Sequence, residues 1–206
     1  ALLAPLFCVS DAVAFRYWRA SSWARRELAV MLPGLLLGTS AGYLVLRYAD
    51  RNLTAIVIAL LTLLFAGLWF KGGARVVQKP RSDVKGFIAG TASGLGSMIA
   101  HSGGPPAAMY LLPLGLPKSQ YAGTTFMFFV VGNLLKVVPW LALITVSRQF
   151  VFMLALCVPV IVAGAWAGWQ LHERLDQAQL YRACYSLLVV IGAKLLWDGL
   201  KGYGLI

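Results

Sequence analysis

The sequence predicts an all-α polytopic membrane protein. It is read as two inverted repeats with Gly/Pro-broken membrane segments, the first repeat truncated at its N-terminus. Three observations predict this. The 206 residues are 60% hydrophobic and 12% charged, against about 45–50% and about 25% for a soluble domain. Several apolar runs are long enough to span a bilayer as helices. A pattern of five residues recurs at a single offset of 126.

The same composition excludes intrinsic disorder and collagen. Outer-membrane strands would alternate apolar and polar over about 10 residues, and no such alternation occurs. The net charge of +11, from 18 Lys and Arg against 7 Asp and Glu, falls mostly in loops between apolar runs. That is the pattern of membrane topology, so no nucleic acid is expected as a partner. Cys8, Cys157 and Cys184 lie in apolar stretches without C-x-x-C spacing. They read as small packing residues, and no disulfide or metal site is expected.

The elements follow in order. Residues 1–15 are apolar apart from Asp11, and the chain reads as starting inside a helix. Arg16, Arg19, Arg25 and Arg26 follow among Tyr17, Trp18 and Trp23, a composition suited to the membrane–water interface. Residues 28–46 and 52–70 are two charge-free spans joined by a short turn. A second basic loop carries Lys71, Arg75, Lys79, Arg81 and Lys85. Residues 86–117 hold no charge but are broken by glycines and by Pro105, Pro106, Pro113 and Pro117, so they cannot be one helix. An apolar run over 119–147 is interrupted only by Lys136. Residues 149–171 make a clean span, His172–Arg182 is polar, and a last span covers about 183–200.

Pro33, Gly38, Gly42, Tyr43 and Asp50 recur as Pro159, Gly164, Gly168, Trp169 and Asp176. This divides the chain into a first repeat over 1–80 and a second over 81–206. The first repeat would then begin about 45 residues before Ala1, so its N-terminal segment is expected to be missing. An odd number of crossings per repeat turns the two in opposite directions. The basic loops 16–26 and 71–85 fall on one side, read as cytoplasmic. Inverted repeats with broken segments near mid-membrane point to a secondary transporter.

Two features carry chemistry. The stretch from Gly90 to Pro106 places broken backbone within an uncharged run, and in lipid such backbone must be buried in protein or line a wet cavity. Gly103 and Gly104 permit close approach of a ligand. Pro105 or Pro106 can open a helix whose free N–H groups attract an anion, with Ser102 and His101 as further donors. The competing reading is a tight turn between packed helices. The second feature is Lys136, whose place in mid-helix costs about 2.5–3.5 kcal/mol on insertion scales. Asn133 stands one turn back on the same face. Lys136 reads as an anion contact or as the structural ion-pair partner of Asp11, and both can hold together.

Lys194 lies near a helix end and can snorkel. Gly38/Gly42 and Gly164/Gly168 read as close-packing notches, and His172 as interfacial. A sharper alternative is an intramembrane serine protease, because Ser93-Gly94 and Ala100–Gly104 look like rhomboid pieces. A Ser–His pair needs hydrogen-bond reach, whereas eight helical residues would separate Ser93 from His101 by about 12 Å. No enzymatic activity is expected.

The chain resembles the sulfite exporter TauE/SafE family of membrane permeases. The resemblance rests on Asp11 followed by Arg16-Tyr17-Trp18-Arg19, and on Leu32-Pro33-Gly34 with Gly38 and Gly42. It continues through Gly90 to Pro106, Tyr110-Leu111, and Gly123-Thr124-Thr125 leading to Gly132-Asn133-Leu134-Leu135-Lys136. It implies a multi-pass plasma-membrane (bacterial inner-membrane) carrier for small anions such as sulfite or organosulfonates, without a cofactor. It also implies a partial substrate site of His101, Ser102, Gly103, Gly104, Pro105, Thr125, Asn133 and Lys136, with Asp11 contributed by the first repeat. The expected partners are the anion and membrane lipid. Proton coupling, a homo-oligomer and an anion channel remain open.

Overall fold

Apolar chain without water to bond its backbone must satisfy every N–H and C=O internally, which in a single segment means a helix. The computed structural model describes residues 3–18, 22–45, 50–72, 78–99, 102–143 and 148–204, and every regular element among them is helical. In chain order these are α1 (Leu3–Ala14), α2 (Arg25–Val45), α3 (Arg51–Lys71) and α4 (Asp83–Ile99). Then come α5 (Gly104–Leu111) with a 3-10 turn at Leu112–Leu114, α6 (Lys118–Leu143), α7 (Arg148–Arg174) and α8 (Gln177–Gly202). Four described helices, α2, α3, α7 and α8, are long and apolar enough to cross a membrane.

The helix ends follow local chemistry more than the apolar runs do. α2 starts three residues before its apolar run. Glu27 sits in its first turn, where a carboxylate suits the positive end of the helix. That carboxylate is buried, accepts from the Tyr110 hydroxyl over 2.5 Å, and pairs with Arg81 at 3.2 Å. α8 starts at Gln177, well before the span expected from about 183. Its Asp176 side chain accepts from the Gln179 N–H at 2.7 Å, and the Gln179 side chain accepts from the Asp176 N–H at 3.0 Å. This reciprocal cap starts the helix within polar sequence. Asp50 caps α3 from one side only, its carboxylate accepting from the N–H groups of Asn52 and Leu53. The end of α7 is closed by Lys118, whose ammonium donates to the carbonyls of His172, Glu173 and Leu175.

The recurring residues occupy matching places. Pro33 lies inside α2 and Pro159 inside α7, while Asp50 and Asp176 cap the helices that follow each. Packing of the two glycine pairs differs. α2 and α4 approach until backbone meets backbone, and a Cβ on Gly94 would lie 2.6 Å from the Leu35 carbonyl oxygen. Gly38 is equally closed, against Thr91. Gly164 and Gly168 face open space. α3 pairs with α8 through stacked rings, Trp69 on Tyr185 at 4.0 Å between centroids. The core between α2, α5, α6 and α8 is built from Met31, Leu35, Leu111, Phe128 and Tyr181.

Candidate functional site

The uncharged run after Gly86 breaks between α4 and α5, and α5 opens with prolines at its second and third positions. Proline fits there because the first N–H groups of a helix have no partner within it. The prolines carry no N–H, so the open donors at this end are those of Gly103 and Gly104. Neither finds an acceptor among the described residues. Gly103 is held tightly. The Ser93 hydroxyl donates to its carbonyl over 2.5 Å, and an added Cβ would stand 2.8 Å from Ser97 Cβ. Gly104 has nothing within 4 Å of that position.

The space in front of Gly104 is a cavity of about 250 Å³ between α1, α4, α5 and α6. Asp11 enters it from α1, Ser97 from α4, and Asn133 and Lys136 from α6, with Phe7 and Phe129 as walls. Asn133 and Lys136 share a helix face because they are three residues apart. The Asn133 amide donates to the Asp11 carboxylate over 2.8 Å. The Lys136 ammonium donates to the Ser97 hydroxyl. None of the ion pairs among the described residues joins Asp11 to Lys136.

The other residues singled out from sequence lie elsewhere. Ser102 is buried and its N–H donates to the Gly96 carbonyl at 2.9 Å. Pro105 is buried inside α5. Thr125 lies on α6 eight residues before Asn133, about 12 Å along the helix, and does not line the cavity. His101 is outside the described residues. The Ser93 hydroxyl suggested as a nucleophile is committed to the turn at Gly103. Ser97 was not singled out from sequence. Its signal was its place in the small-residue run just before the break.

Chemically, the cavity gathers one ammonium, one carboxamide, one hydroxyl and the Gly103–Gly104 backbone beside a single carboxylate. At roughly 30 Å³ per water it has room for about eight waters, the scale of a small polyatomic anion with part of its hydration. No group of three His, Cys, Asp or Glu side chains among the described residues is placed to hold a metal.

An apolar helical bundle with four described helices long enough to cross a membrane is the architecture of a multi-pass membrane protein. The family described as sulfite exporter TauE/SafE matches residues 1–195. The chain belongs to that family, a family of membrane transporters. Comparison with curated proteins and with solved structures gave no match.

Proposed function

We propose that the protein is a secondary transporter that moves a small anion across the plasma membrane by alternating access. The anion is sulfite or an organosulfur anion such as a sulfonate, and the membrane is the inner one in a bacterium. The observation that carries this reading is the convergence of Lys136, Asn133 and the Gly103–Gly104 helix start on one small cavity. Ionisable groups inside a membrane protein are costly and mark substrate paths. The anion takes the place that Ser97 holds against the ammonium, and its oxygens accept from the glycine N–H groups. Its charge repels the Asp11 carboxylate, so a proton on Asp11 enters with it.

The matching prolines and caps of α2/α3 and α7/α8 support two repeats that run oppositely through the bilayer. Rocking one against the other exposes the cavity to each side in turn.

Counterflow in proteoliposomes tests the reading, with sulfite, thiosulfate, sulfoacetate, sulfate and acetate as the panel. Saturable, trans-stimulated exchange of one sulfur oxyanion is expected. Flux without saturation or counterflow would make the protein a channel. Absence of any flux from folded protein would remove the transport reading.

A further inference from the structure

A second and larger cavity lies away from the anion site. It is a groove of about 710 Å³ between α3 on one side and α4 with α5 on the other. Its walls are mostly apolar, half-buried along the floor and exposed at the rim, with Leu61 at 52% and Ile88 at 58%. On α3 it runs from Leu53 to Phe65, about 18 Å at 1.5 Å per residue. That is a little more than half of a hydrocarbon core about 30 Å thick, the depth of one leaflet.

One end of this groove is basic. Lys79 and Lys85 stand there, and both are exposed. The neighbouring charges are already engaged, Arg81 with Glu27 at 3.2 Å and Arg26 with Asp83 at 3.4 Å. Neither Lys79 nor Lys85 is in an ion pair among the described residues. Lys79 is also fixed in place, because its N–H donates to the Pro113 carbonyl at 2.8 Å. A one-leaflet apolar slot ending at two unpaired ammonium groups is complementary to an amphiphile with an anionic head. Basic pockets between membrane helices recognise acidic lipid headgroups on this principle.

We propose that the α3/α4/α5 groove is a binding site for an anionic phospholipid, with its phosphate at Lys79 and Lys85 and an acyl chain along α3 and α4. The lipid fills the gap between the α3–α8 pair and the rest of the bundle, and the site is independent of the cavity at Lys136.

Native mass spectrometry of the protein in micelles carrying equal phosphatidylglycerol and phosphatidylcholine tests this. Wild type should retain phosphatidylglycerol roughly thirtyfold over phosphatidylcholine, on the scale that two lysines supply. In Lys79→Gln/Lys85→Gln the ratio should fall to about one. Ala92→Trp, which fills the groove and keeps both lysines, should reduce retention of either lipid. Circular dichroism establishes that each variant is folded. Equal retention of the two lipids by wild type would overturn the proposal, as would an unchanged preference in the double variant. So would unreduced retention in Ala92→Trp. Displacement of the lipid by inorganic phosphate alone would make the site a surface anion contact. A dimer that Ala92→Trp dissociates, without any lipid preference, would assign the groove to a second copy.

Discussion

Asp11 and Lys136 face one cavity from α1 and α6 without pairing with each other. Asn133 donates to the carboxylate at 2.8 Å and Lys136 donates to Ser97. A direct pair would neutralise both charges and leave little field for an anion. Separate neutral partners hold each charge in place while leaving the ammonium free to exchange Ser97 for a ligand oxygen. Each charge keeps its own hydrogen-bond partner when the other is removed, so the two residues should respond differently to substitution.

Asp11→Asn keeps a group that can accept from Asn133 but cannot carry a proton. If anion and proton enter together, the wild type transports faster as the pH on the uptake side falls. Asp11→Asn should keep anion exchange and lose that dependence. Proteoliposome uptake measured against an imposed pH gradient reads this directly. A gradient response retained by the variant would show that the proton travels by another route.

The two glycines at the break should also separate. Gly103→Ala places a Cβ 2.8 Å from both the Ser93 carbonyl oxygen and Ser97 Cβ, so α4 and α5 must part. The expected result is a lower Tm, together with loss of transport. Gly104→Ala meets nothing within 4 Å but narrows the cavity in front of the open N–H groups. It should keep its Tm and raise KM severalfold. Equal Tm losses in the two variants would contradict this assignment of fit to Gly103 and access to Gly104.

Much of this was legible in the sequence. The break in the run 86–117 followed from where its glycines and prolines stand, and α4 and α5 meet there. The cost of a mid-helix lysine marked Lys136, and the i−3 spacing marked Asn133. What sequence left open was which neighbours complete the cavity. Phe129 shares an α6 face with Lys136 two turns on, but nothing in an apolar helix singles it out, and Ser97 reaches Lys136 only through the tertiary arrangement of α4 and α6 around the cavity. Thr125 shared a motif with Asn133 but is two turns away along α6, so the motif did not make it part of the cavity. The early start of α8 was missed because hydropathy finds the apolar run, while the Asp176–Gln179 box sets the helix end.

Acid stability should report the α3 cap. The Asp50 carboxyl, outside the spanning segments, is held below its usual range, first by the Tyr203 hydroxyl and then by the Leu53 N–H. A depressed folded-state value stabilises the protein above the unfolded value, about 3.9 for Asp. That contribution is lost as the pH falls through the folded value. The Asp50 contribution to Tm should therefore be full and independent of pH between pH 5 and 8 and be lost below pH 4. Tyr203→Phe should bring the folded value closer to the unfolded one and so make the acid drop smaller. Thermal melts of both proteins from pH 2 to 7 check it, and superimposable acid limbs would count against the contact.

The central claim is that the Lys136 ammonium binds the transported anion. Its most direct test is counterflow of the sulfur oxyanion by Lys136→Gln beside wild type, in liposomes with equal amounts of folded protein. Loss of one charged contact from a buried site costs about 2–5 kcal/mol, so KM should rise at least about 30-fold or exchange should vanish, with Tm near wild type. Wild-type KM and exchange rate in Lys136→Gln would contradict the account.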